Sequence, residues 1–366
     1  MKFTNNSELN NYLEAILDVN ELNLSISDMF SSLIGNIEII DPEEIKTLER
    51  ATGHSQKGIV FSKLVDYLDI DLSIEDNEEI FDDYFFSAIY KVDMNKYLSN
   101  PFYLKFKDLS IKDGDYELVM DHYQAFELFA YKDMSVFPNS FIEKNSIGYF
   151  DKEYKFLALN QKGITWMSVT PNEIETMEKP IETVQGKVII FGLGLGYFAY
   201  MASIKNEVNE ITIIEKDNKI INLFKKHIFP HFEHQEKVKI ISGDALDYIK
   251  SSLKYDYAFV DLWHDPYDGL DLFLKFKKAE QKTPKCQFLY WLESSFYLLL
   301  RRCMISLIAE QLEGAKENNY SRSDNIGDEI INKYYFLTKN LTISSKVQLS
   351  ELLSDKSLLN LLLNDR

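Results

Sequence analysis

Apolar residues recur at helical spacing through the first third of the chain and as short unbroken runs through its middle. Over 7–20, Leu9, Tyr12, Leu13, Ile16 and Leu17 share one helical face, with Ser7 placed as the cap. Helices are also expected at 42–51 and 58–68, then an acidic loop or helix edge over Asp69 to Asp83, and helical spacing again over 78–98. The stretch Asp121 to Tyr131 crowds aromatic and histidine rings together and reads as a core element, with a substrate-lining surface as the alternative. Near Ser146 the texture changes. Ser146–Phe150, Lys155–Leu159 and Gly163–Val169 read as short strands of an antiparallel β element. Thr170-Pro171-Asn172-Glu173 then has the form of a capping box with proline at the first helical position, opening a helix to about Met177.

From there, apolar runs alternate with helical segments. Val188–Phe191 predicts a buried strand, Glu210–Ile214 a second ending on Glu215, and Asn218–His227 a helix. A third strand from Val238 ends in Gly243-Asp244-Ala245. A fourth, Tyr257–Val260, ends on Asp261. A crossover helix (Leu270–Lys282), a fifth strand (Gln287–Trp291) and a long helix (Ser294–Leu312) follow. Gly314–Gly327 reads as a loop, and helical pieces at 328–338 and 347–364 complete the chain. The alternation predicts an α/β fold with a doubly wound, mostly parallel sheet. A mainly helical domain (1–145) precedes a second domain (146–366) that begins with the β element.

The most specific local signal is Gly192-Leu193-Gly194-Leu195-Gly196, between the first strand and the next helix. Glycines let such a turn close tightly and let a ligand approach the backbone. The dinucleotide fingerprint needs its third glycine one residue later, where this chain has Tyr197, so a dehydrogenase is disfavoured. A P-loop is excluded because no Gly-Lys-Ser/Thr follows. Glu215, at the tip of the second strand, is placed to accept two ribose hydroxyls. Asp244 is placed to accept the amine of an adenine ring. In an open α/β sheet, ligands sit outside the carboxyl ends of the strands, and all these groups fall there. Each also has a purely structural reading: a tight strand–helix turn for the glycines, helix caps for the acids. Their joint occurrence, in order, favours the ligand site.

This constellation resembles the class I S-adenosylmethionine-dependent methyltransferases over roughly residues 180–295. The resemblance implies a Rossmann-like domain. It assigns the methionine part of the cofactor to Gly192, Gly194 and Gly196, the ribose to Glu215, the adenine to Asp244 and Ala245, and the transferred group to Asp261. That family often carries an acidic residue where this chain has Ile190. It also often places a small helix over the cofactor, which brings Trp166 and the Thr170–Glu173 turn near the site. The expected function is methyl transfer from S-adenosylmethionine to a small molecule or peptide. Such a transfer is an in-line displacement that needs alignment and, for a protonated nucleophile, a base. Asp261, His264 and Asp265 are the catalytic candidates, with Trp263 and Tyr267 as pocket walls.

Two alternatives stand beside it. Aminopropyltransferases of the polyamine-synthase type share the cofactor fold and carry Asp-x-x-Asp-Pro after the fourth strand. Here Asp261 and Asp265-Pro266 stand one residue further apart, and the Asp usual in that family's glycine turn is absent. A non-enzymatic binding protein that kept the corner is the other.

Charge narrows the partners. The net charge is −18, and residues 1–150 carry 28 acidic against 12 basic residues, while 151–366 carry 30 against 28. Such a surface repels nucleic acid and suits solubility or a cationic substrate. The longest apolar stretch, Phe288–Ile308, is interrupted by Glu293, Arg301 and Arg302, so no membrane span is expected. No signal peptide is expected, and Cys286 and Cys303 imply no disulfide framework, which fits a cytoplasmic protein. His227, His231 and His234 have metal-like spacing, but Pro230 breaks the helix that would align them, so no metal is expected. A calcium loop from Asp69 fails because its glycine and final glutamate positions are Ile74 and Ile80.

Overall fold

A computed structural model describes residues 1–37, 39–74, 84–137, 140–250, 253–321 and 323–364. The expected acidic segment Asp69–Asp83 and the helical spacing from 78 fall partly outside the described residues.

The first helix, α1 (Ser7–Leu33), runs well beyond residue 20, and its cap is Asn6 rather than Ser7. The Asn6 side chain accepts the amides of Glu8 at 2.9 Å and Leu9 at 3.4 Å. The extension was hidden because two asparagines, Asn20 and Asn23, occupy buried positions where the pattern wants apolar residues. Asn23 compensates with hydrogen bonds from Tyr84 and the Glu143 amide and one to the Phe141 carbonyl. Helices Pro42–Thr52 and Gln56–Tyr67 follow, capped by Asp41 and Ser55.

Helical character does not persist to residue 145. Where helical spacing was expected, the described residues include a strand, Ile89–Lys91, before the short helix Met94–Leu98. Strands β1 (Ile111–Asp113), β2 (Tyr116–Tyr123), β3 (Tyr154–Gln161) and β4 (Ile164–Ser168) form an antiparallel sheet in the order β4-β3-β2-β1. Strand β2 pairs with β3 from Tyr116↔Gln161 to Tyr123↔Tyr154. Strand pairing therefore crosses the boundary expected near residue 145. Ile147–Tyr149 joins a different sheet, between Ile89–Lys91 and Phe129–Ala130. Phe126, Leu128 and Phe129 from the ring-rich stretch are buried, as a core element requires.

Helix α2 (Pro171–Thr183) continues past Met177 with Pro180 inside it. The proline removes one intrahelical hydrogen bond, and burial of Ile174, Met177 and Ile181 along one face offsets that loss. The chain then builds a parallel sheet: β5 (Gly186–Phe191), β6 (Val208–Glu215), β7 (Val238–Ser242), β8 (Tyr257–Val260) and β9 (Gln287–Tyr290), in the order β7-β6-β5-β8-β9. Helices α3 (Tyr197–Ser203), Asn218–His227, α4 (Pro266–Glu280) and α5 (Glu293–Leu312) connect and flank these strands. The fold is thus α/β, with antiparallel sheets beside the parallel one. Val188 to Phe191 are nearly solvent-free, which explains their unbroken apolar run. The strand order reverses at β5, so the crevice at a topological switch point opens between the ends of β5 and β8.

Two apolar cores divide the molecule, and α1 reaches both. Leu9, Leu13 and Ile16 enter the larger core around the parallel sheet, while Ile26, Phe30 and Leu33 enter the smaller. The chain's start is also tied to its far end: Lys2–Phe3 pairs in parallel with Thr342–Ile343. No helix among the described residues is long and apolar enough to cross a membrane.

Candidate active site

The three glycines do different jobs. Each has a positive φ. A Cβ on Gly192 would lie 1.8 Å from the carbonyl oxygen of Asp261, so only glycine lets the ends of β5 and β8 come together. A Cβ on Gly196 would meet the Phe224 ring at 2.3 Å, so this glycine seats α3 on the helix behind it. A Cβ on Gly194 would meet nothing within 4 Å, which leaves it facing open space at the strand end. Tyr197, at the third dinucleotide position, is buried and accepts a hydrogen bond on its hydroxyl from Asn100 at 3.1 Å.

Glu215 ends β6 and holds this turn. Its carboxylate accepts the Leu193 amide at 3.1 Å and the Asp217 amide at 2.7 Å. Both oxygens keep a lone pair for a diol, because an ionised carboxylate offers about four acceptor sites. Asp244 caps the short helix Ala245–Tyr248, accepting the Leu246 amide at 2.7 Å, and is exposed beside half-buried Ala245.

Asp261 follows β8, anchored by its amide to the Phe191 carbonyl at 2.9 Å. Its side chain is recessed but still touched by solvent. Burial raises its pKa to about 7, with the nearby His264 pulling the other way. Glu173, in the first turn of α2, is pushed well above the usual carboxylate range by burial and by the charge of Asp261. The capping box expected at Thr170 is only half formed. Thr170 accepts the Glu173 amide at 3.5 Å, and the Glu173 carboxylate makes no return bond. Helix α2 is fixed over the strand ends by Trp291, whose indole donates to Thr176 at 2.8 Å, while the Trp291 amide bonds the Val260 carbonyl at 3.0 Å.

The loop after Asp261 departs from expectation. Trp263 is buried core rather than a pocket wall: it donates to the Trp291 carbonyl at 3.2 Å and packs edge-on against Phe273 and Phe296. Asp265 is the N-cap of α4, accepting the amides of Tyr267 and Asp268 in a reciprocal capping box. His264 is exposed and bonds Asp268 at 3.0 Å, and Tyr267 is 60% exposed. Trp166 is stacked on Tyr116 in the antiparallel sheet. The structure thus gathers the glycines, Glu215 and Asp261 at adjoining strand ends. It gives Trp263 and Asp265 structural duties. In the sequence Glu173 read as part of a capping box, in a turn that the family resemblance brought near the site, but its carboxylate was not singled out. The three histidines point apart: His227 bonds Asp113 at 2.7 Å, His231 packs on Phe106, and His234 bonds Glu236 at 3.2 Å.

Residues 177–275 match the family model of the spermine/spermidine synthase domain. A polyamine aminopropyltransferase of Korarchaeum cryptofilum (strain OPF8) is 39% identical over 85 residues, covering 22% of this chain and 26% of that protein. The chain therefore spans about a quarter of the length of this curated relative. Among solved structures, a spermidine synthase in complex with the transition state analogue AdoDATO shows 20% identity and a TM-score of 0.32, covering 42% of this chain and 60% of its own. The spermidine synthase from Thermotoga maritima shows 18% identity and a TM-score of 0.30, covering 42% and 59%. The family-model match and the curated relative overturn the expectation of a methyltransferase using S-adenosylmethionine. The part of the chain that builds the glycine turn and Asp261 is similar to enzymes of aminopropyl transfer, the runner-up in the sequence.

Proposed function

We propose that this protein is an aminopropyltransferase. It would move the 3-aminopropyl group of decarboxylated S-adenosylmethionine onto an amine of an aliphatic di- or polyamine. The observation that carries this reading is the spermine/spermidine synthase domain match over 177–275, the span that contains Gly192, Gly194, Gly196, Glu215, Asp244 and Asp261.

Electrostatics support the choice of donor. S-adenosylmethionine would bring its own carboxylate toward Asp261, and like charges in a recess repel. The decarboxylated donor brings only an ammonium there. The nucleoside part falls to Glu215 for the ribose and Asp244 with Ala245 for the adenine, in a Rossmann-like half.

Asp261 supplies the base. The acceptor arrives as an alkylammonium and gives one proton to the Asp261 carboxylate. Its freed nitrogen pair attacks the methylene carbon beside the sulfonium. The C–N bond forms as the C–S bond breaks, and that pair stays on sulfur, which leaves as a neutral thioether nucleoside. The product nitrogen is then a secondary ammonium, and Asp261 returns its proton to solvent. A base with a pKa near 7 suits proton transfer at neutral pH.

Incubating the protein with decarboxylated S-adenosylmethionine and a diamine, and detecting methylthioadenosine by chromatography, tests the reading. Release of that product with the decarboxylated donor alone supports it. Failure to bind or consume this donor under conditions that turn over a control synthase would sink it.

A further inference from the structure

Glu173 is a buried carboxylate beside Asp261 that the reaction above leaves without a task. Among the described residues, neither it nor Asp261 is held by a side-chain hydrogen bond or an ion pair. A glutamate at this helix position ordinarily folds back onto the N-cap amide, as Asp268 does at the head of α4. Glu173 does not. Its helix is pinned above the strand ends by the Thr176–Trp291 bond, and Glu173 stands one turn away from Thr176 on the same face. Trp291 is bonded in turn to the residue before Asp261. Two carboxylates are thereby brought together at the crevice from opposite sides, one from α2 and one from the end of β8.

We infer that Glu173 and Asp261 together form the seat for the terminal ammonium of the acceptor amine, with Asp261 as the base and Glu173 as the positioning carboxylate. This inference rests on the aminopropyl-transfer reading and adds a residue to it. An ammonium has three N–H donors and no acceptor, so it can bond both carboxylates at once. Two adjacent acids repel each other when both are ionised, and a cation between them removes that cost. An alcohol of the same length offers no such relief. The seat therefore selects amines over hydroxyl compounds.

Besides Glu173 on α2, the groups facing this seat come from three elements. Asp261 and His264 stand after β8. Tyr197 on α3 and Tyr123 on β2 both feel the charge of Glu173. Among the described residues, His264 is the cationic group that acts on Asp261, and none acts on Glu173. In the free protein, burial and the charge of Asp261 favour a proton on Glu173, and burial raises Asp261 as well. Seating an ammonium favours two carboxylates, so binding should release a proton.

The test is calorimetric titration with 1,4-diaminobutane, and with 1,4-butanediol as control, near pH 7. Two buffers of different ionisation enthalpy count the protons released. Wild type should bind the diamine with proton release and ignore the diol. Glu173→Gln should weaken the diamine about tenfold or more and reduce the proton release, as loss of a charge-assisted bond predicts. Affinity for decarboxylated S-adenosylmethionine should stay near wild type, and the unfolding midpoint near pH 7 should not fall, because glutamine removes the cost of a buried acid. Glu173→Asp should recover part of the affinity. Diamine affinity and proton release in Glu173→Gln within twofold of wild type would overturn the inference while leaving the donor assay intact. Glu173-dependent diamine binding without turnover would keep the seat and sink the transfer reading. A wild type that binds no diamine overturns the seat outright.

Discussion

The backbone carbonyl of Asp261 occupies the space that any side chain on Gly192 would need, with only 1.8 Å between that oxygen and an added Cβ. Neither partner is the flexible end of a side chain, so relief requires the ends of β5 and β8 to part. Gly192→Ala should destabilise the protein by about 3 kcal/mol or more, and denaturant unfolding measures it. Gly194 gives the opposite result. Its added Cβ meets nothing, and the only penalty is its left-handed backbone, about 1–2 kcal/mol for a non-glycine residue. Gly194→Arg should therefore keep the fold and abolish donor binding by filling the ligand side. Retained donor affinity in a folded Gly194→Arg variant would remove the glycine turn from the site.

Glu215 holds the glycine turn and is proposed to hold the donor ribose, and truncation should expose both. Glu215→Ala removes the acceptor for the Leu193 and Asp217 amides and, with it, the proposed ribose contact. Donor affinity should fall at least about tenfold. Thermal stability should fall too, by about 1–3 kcal/mol for the amides left without a partner. Glu215→Gln separates the roles, because its amide oxygen still accepts one backbone N–H. A titration in which Glu215→Ala binds the donor like wild type would take Glu215 out of the ribose site.

Much of this was legible because local pattern and tertiary role agree in the parallel sheet. Val188–Phe191 is apolar throughout because both faces are covered, and the helix Asn218–His227 and the strand Tyr257–Val260 fall where their periodicity puts them. Legibility fails where a residue serves a distant partner. Asn20 and Asn23 spoil the apolar stripe of α1, and Asn23 does so to bind a loop some 120 residues away. Trp263 lies in the loop after the fourth strand, yet its ring belongs to the core beneath α5. Asp265 resembled a catalytic acid because caps and active sites draw on the same residue types. Glu173 was the reverse case, an acid with the sequence signature of a cap whose carboxylate does not cap. The closeness of Glu173 to Asp261 was unreadable because it joins two segments that only the fold brings together.

Asp261 should also set a pH signature. Its pKa is about 7 in the folded protein against 3.8 for the free side chain. Between those values the native state binds more protons than the unfolded chain, so stability falls as pH rises. Below about pH 4 the penalty is absent, and above about pH 7 it is complete. Asp261→Asn removes it. The variant should therefore melt higher than wild type at pH 8, with a smaller difference at pH 5, and should lose transfer activity at both. For wild type, kcat/KM should rise with pH through about 7 as the base ionises. An Asp261→Asn stability gain that does not depend on pH would show that the carboxyl is not strained in this way.

The last prediction concerns the joint between the two cores. Glu143 is 3% exposed and is paired with Arg302 of α5 through both carboxylate oxygens. Arg302 also reaches Ser27 of α1 at 3.3 Å, and the Glu143 amide bonds Asn23 on the same helix. One guanidinium thus ties α1, α5 and the strand segment Glu143–Lys144. Burial opposes the charge on Arg302, and the Glu143 carboxylate more than restores it, holding the pKa above the ordinary arginine value. Arg302→Ala would strand a buried carboxylate, at a cost of about 3–5 kcal/mol. Replacing both residues, Glu143→Gln with Arg302→Met, should cost much less than Arg302→Ala alone, because no unpaired charge remains. Chemical denaturation of the two variants decides it. A double variant as unstable as Arg302→Ala would mean that shape, rather than charge, makes this joint. Because Arg302 lies in neither the glycine turn nor the acid pair, folded Arg302→Ala protein should bind the donor as wild type does.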